Sequence, residues 1–99
     1  MSDRELLELA AKAAGIKGSF VGDVFAIAWG EERDYWNPLT DDGDALRLAV
    51  KLGLVLDAQG DKTFCGTTQY DAIEHHKDDP YAATRRAIVR AAAEIGKTL

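Results

Sequence analysis

The chain has 99 residues, and several residue types are scarce: one cysteine, two prolines, two tryptophans and one methionine. Cys65 alone cannot form an internal disulfide, which excludes a cystine-stapled mini-protein and suits a reducing compartment. No apolar run approaches the roughly 20 residues that a membrane helix requires. The opening Ser2-Asp3-Arg4-Glu5 is not the basic-then-apolar start of a secretory signal. Bases are outnumbered twelve to seventeen, for a net charge of −5. Nucleic-acid binding leans on Lys and Arg neutralising phosphates, so a nucleic-acid partner is not expected. The nine glycines form neither G-x-G-x-x-G nor G-x-x-x-x-G-K-[ST], so no nucleotide loop is supported. These absences leave a single soluble domain over residues 1–99, expected in the cytoplasm, with no membrane partner.

What is present is an ordinary globular mixture, 46% hydrophobic and 29% charged. The charge is uneven. Residues 1–50 hold ten acids and five bases, whereas residues 51–99 balance. An acidic half keeps a protein soluble, and it also offers a surface to a basic partner.

Local signals divide the chain into elements. Ser2 and Glu5 have capping-box spacing, and Leu6, Leu9, Ala10 and Ala13 share a helical face that Gly15 terminates. Residues 23–29 alternate as a strand, with Phe25, Ile27 and Trp29 on one side. A shorter strand lies near 19–21, and Gly22-Asp23 turns between them. Gly30–Tyr35 is turn-like, and strand character resumes at Tyr35 and Trp36. Asn37-Pro38 stops any helix from running through 37. Thr40 or Asp41 caps a second helix, which Gly53 ends. Leu54–Leu56 and Lys62–Tyr70 form a hairpin across a turn at 57–61. Gly66 marks a bulge or a close approach, and residues 71–74 extend the second strand. Asp79 caps a last helix with Pro80 at its first position and Gly96 at its end. Tyr81, Thr84, Ile88, Ala91, Ala92 and Ile95 trace its inner face, while Arg85, Arg86 and Arg90 point elsewhere. The order helix–strand–helix–hairpin–helix predicts an α+β layered sandwich with a small, mostly antiparallel sheet.

Three stretches carry a resemblance. They are Arg4-Glu5-Leu6 through Gly15, Trp36-Asn37-Pro38-Leu39-Thr40-Asp41-Asp42-Gly43-Asp44-Ala45-Leu46, and Asp79-Pro80 with the Ala- and Arg-rich run to Gly96. Together they resemble small bacteriophage and prophage proteins of the phage ABA-sandwich domain family. The resemblance implies a phage or prophage origin and a helix–sheet–helix fold. It implies no activity, cofactor or site residue.

The residues offer few chemical constellations. Trp36 and Leu39 flank a rigid Pro turn ahead of an acidic first helical turn. They read either as a packed staple and cap, or with Asp41, Asp42 and Asp44 as a patch for a basic partner. Asp41-Asp42-Gly43-Asp44 fails as a calcium loop, because Leu46 and Leu52 occupy the positions that need Gly and Glu. His75 and His76 lack a partner at metal-ligand spacing, and adjacent strand residues point to opposite sides. Cys65 reads as a buried, inert thiol, or with either histidine as a thiol nucleophile. The arginines of the last helix read as a solvated, ion-paired face. The expectation is a non-enzymatic accessory protein without cofactor or metal that binds a host or phage protein. A small Cys/His hydrolase and a self-associating structural protein are the alternatives.

Overall fold

The computed structural model describes residues 1–28 and 35–99. The predicted strand at 23–29 is therefore described only to residue 28, and the predicted turn at 30–35 lies outside the described residues except for Tyr35.

Three helices and two small antiparallel sheets make the α+β fold that the pattern predicts. Helix α1 spans Asp3–Ala14, α2 Asp42–Leu52 and α3 Pro80–Gly96. Each begins at the cap its sequence announces. Ser2 accepts from the Glu5 amide and Glu5 reaches back, which holds the Glu5 carboxyl below its ordinary range through its bond to the Ser2 backbone. Asp41 caps α2 by accepting from the Asp44 amide, and Asp79 caps α3 by accepting from Tyr81 and Ala82. Each such cap is worth about 1 kcal/mol. Gly15 and Gly53 end α1 and α2 in the left-handed conformation, where a Cβ would be strained.

Strands β1 (Gly18–Val21) and β2 (Val24–Ile27) pair across the Gly22-Asp23 turn. Tyr35 adds one bridge to Ala26, and the Trp36 amide donates to the Phe25 carbonyl. Strands β3 (Val55–Asp57), β4 (Lys62–Gly66) and β5 (Asp71–His75) form the second sheet, ordered β3-β4-β5. Here the structure corrects the expected two-stranded hairpin. The Lys62–Tyr70 stretch is not one strand but breaks after Gly66. A Cβ on Gly66 would collide with the Tyr70 carbonyl, so the chain turns back tightly there. The Thr67 hydroxyl holds the turn by accepting from the Gln69 and Tyr70 amides.

Helix α3 is the centre of the molecule, packed on α1, on α2 and on strands β4 and β5. Its burial is correspondingly wide, taking in Ala83, Ala87, Ile88, Val89, Ala91, Ala92 and Ala93. The small side chains let α1 come close. A Cβ on Gly96 would strike the Leu9 carbonyl of α1, so this glycine serves a helix crossing rather than a left-handed stop. Tyr81, expected on the inner face, is exposed instead.

Candidate functional site

The information-rich stretch 36–46 folds as a tightly bonded lead into α2. Trp36 is only 5% exposed; its ring meets Phe25 edge-on at 5.6 Å, and Phe25 in turn meets Phe20 at 5.5 Å. Pro38 is fully buried. Asn37 bonds in both directions: its side-chain oxygen accepts from the Leu39 backbone amide, and its backbone amide donates to the Asp44 carboxylate at 3.0 Å. The second Asp44 oxygen accepts from Arg47 at 2.7 Å. Arg85 reaches across from α3, donating to the Leu39 carbonyl at 2.8 Å and pairing with Asp42 at 2.7 Å.

Of Trp36, Asp41, Asp42 and Asp44, read as packing or as a recognition patch, the structure buries Trp36 and leaves the Asp41 and Asp42 side chains 59% and 74% exposed. The tryptophan lies in the core and cannot serve as an accessible anchor. Asp41 is a helix cap, Asp44 is held by Asn37 and Arg47, and Asp42 faces an arginine. The arginines of α3 are likewise paired. Arg86 meets Asp3 at 3.0 Å, and Arg90 holds Glu74 and the Ile73 carbonyl. These contacts join residues 16 to 83 positions apart, so no local pattern announces them.

A cleft of about 650 Å3 lies between the end of α1, β2 and α2. Trp36, Leu48 and Ile27 form its apolar wall, and Arg47 and Lys51 stand on its α2 rim. Its size falls within the range of small-molecule sites. Its cations are one turn apart on α2, and Arg47 is already held by Asp44.

The potential nucleophiles sit elsewhere. Cys65 is fully buried on β4, and desolvation raises its thiol pKa to about 11. The thiol is therefore protonated near neutrality. His75 lies opposite Lys62, three positions along β4 from Cys65, and points to the other side of the sheet. The alternative reading that pairs Cys65 with His75 is not supported, because the two side chains are not brought together. His76 instead meets a hydroxyl that the sequence reading passed over: Nε2 lies 2.8 Å from Thr63 Oγ1, which lies 2.7 Å from Thr84 Oγ1. Thr63 is completely buried, so its contact with Thr84 ties β4 to α3 and its contact with His76 ties β4 to the segment after β5, rather than facing a substrate. The signal that could have found it is a threonine at an inward strand position, where a hydroxyl must find a partner.

Among the described residues, no group of three or more His, Cys, Asp or Glu side chains is placed to hold a metal ion. No helix among them is long and apolar enough to cross a membrane. No family model, curated protein or solved structure matches the chain.

Proposed function

We propose that this chain is a non-catalytic binding module, a phage- or prophage-encoded accessory protein that acts in the host cytosol on a host or phage macromolecule. One observation carries the reading. On α2, Leu46 and Val50 stand one turn apart with 60% and 73% of their surface exposed. Leucine and valine at that spacing form an apolar stripe, and Arg47 and Lys51 run beside it. A partner with an apolar ridge and an acidic flank complements that helix face. The sealed positions of Thr63 and Cys65 favour binding over covalent chemistry. The phage origin rests on the sequence resemblance of residues 4–15, 36–46 and 79–96.

The test is affinity capture of the tagged protein from a bacterial lysate, with and without Leu46→Asp and Val50→Asp together. One protein captured in stoichiometric amount, and lost from the double variant, is the expected result. Capture that ignores the double variant would overturn the α2 assignment. A turnover activity abolished by Cys65→Ala in a folded variant would overturn the non-catalytic reading.

A further inference from the structure

The β3-β4-β5 sheet has a face that α3 does not cover. Strand alternation turns Thr63, Cys65 and Ala72 toward α3. It turns the alternate positions outward, and they read as three rungs. Lys62 stands opposite His75 at one end. Asp57, Phe64 and Ile73 line up in the middle, and Val55, Gly66 and Asp71 at the other end. Val55 is 61% exposed and Ile73 49%. Phe64 lies directly across from Ile73 and diagonal to Val55, so the three form one apolar band. The band has a cation, Lys62, with His75 beside it at one end and an anion, Asp71, at the other. None of these three side chains forms an ion pair among the described residues.

The geometry points to a second copy of this chain as the occupant of this face, packed sheet to sheet about a two-fold axis that runs along the middle rung. The charge pattern selects both the occupant and the axis. A rotation about the middle rung reverses the strand direction and leaves the strand order unchanged. It sets His75 over Asp71 of the second copy, and Asp71 over its His75, with Lys62 beside each pair. Phe64 and Ile73 meet their own counterparts in the centre. A rotation about the strand direction would instead stack Lys62 on Lys62, a like-charge contact that disfavours it. Asp57 meets its own copy at the rim, where water and salt screen the repulsion.

The area sets the strength. Strands of three, five and five residues present roughly 200 Å2, well short of the roughly 800 Å2 that each partner gives to a stable complex. The dimer is therefore weak and concentration-dependent. This surface is separate from the α2 stripe, so the two assignments stand or fall independently.

The experiment is sedimentation of the whole chain from about 10 µM to about 1 mM. The average mass rises toward twice that of the chain. Ile73→Asp, and separately Val55→Asp, hold it at the chain mass throughout with circular dichroism unchanged. Asp71→Lys weakens association several-fold, and adding Lys62→Asp to it restores association. Asp57→Asn tightens the dimer by relieving the repulsion at the rim. A mass that stays at the monomer value to 1 mM would overturn the proposal. So would a dimer that survives both Ile73→Asp and Val55→Asp, or one abolished by Val50→Asp alone. A charge exchange that fails to restore association overturns the axis.

Discussion

The two faces of the three-stranded sheet are built from the same strands and meet different surroundings. Beneath α3, Thr63, Cys65 and Ala72 are sealed, and the one buried hydroxyl among them has two partners. On the other face, Val55 and Ile73 remain 61% and 49% exposed, among charged neighbours. The difference lies in what the sheet is packed against. Antiparallel sheets tolerate one wet face, and the helices of this chain are gathered on a single side. Rigidity and chemistry are therefore segregated. The thiol and the threonine hydroxyl are enclosed as structure, and the open face presents Val55, Phe64 and Ile73 between Lys62, His75 and Asp71.

The contrast can be broken from the covered side first. Ile88 lies one turn beyond Thr84, so it faces the sheet, and it is buried. Ile88→Ala is expected to cost about 3 kcal/mol through the cavity it leaves. In a chain of this size that lowers the melting temperature by more than about 10 °C, read by calorimetry. Thr63→Val comes next. It keeps the shape but strips His76 and Thr84 of their shared partner, for about 1–2 kcal/mol by chemical denaturation. A loss as small as that of an exposed site would show that the hydroxyl is not sealed.

The thiol probes the same face by pH. Burial raises its pKa from 9.0 to about 11, so the folded state holds the proton more tightly than the unfolded chain. Its contribution is intact below pH 9 and is lost as pH rises from 9 toward 11, because the unfolded thiol ionises first. The wild-type chain should therefore lose stability over that window more steeply than Cys65→Ala. Parallel curves would place the thiol in water. The smallest effect belongs to the open face. Ile73→Thr, measured at low concentration, should change stability by no more than about 0.5 kcal/mol. A loss comparable to that of Ile88→Ala would mean that this face is covered after all.

What the sequence made legible was local. Capping residues at Ser2, Asp41 and Asp79 act on amides two or three positions away, so their spacing alone locates the helix starts. The β1–β2 turn is equally local. The break after Gly66 was hidden because Thr67, Thr68 and Tyr70 are good strand formers, while the Thr67 hydroxyl acts as a turn brace. Trp36 was readable as packing or as recognition, and only the position of Phe25 decides between them. The ion pairs of Arg85 and Arg86 lie beyond any window, since their partners are 43 and 83 residues away. The open apolar band was out of reach for the same reason. Val55, Phe64 and Ile73 come together only through strand register.

The close crossing of α1 and α3, with Gly96 against Leu9, has a consequence for synthesis. Helix α1 is made well before α3, the helix on which it chiefly packs. Until Pro80–Gly96 has emerged, Leu6, Leu7 and Ala10 have little to bury against, and α1 on its own is about as short as an isolated helix can be. The β3-β4-β5 meander can pair from neighbouring segments as it appears, but the union of α1 with α3 closes a loop of more than 80 residues. A nascent chain arrested before residue 80 should therefore expose the α1 leucines to chaperones, and release of α3 should bury them in one step.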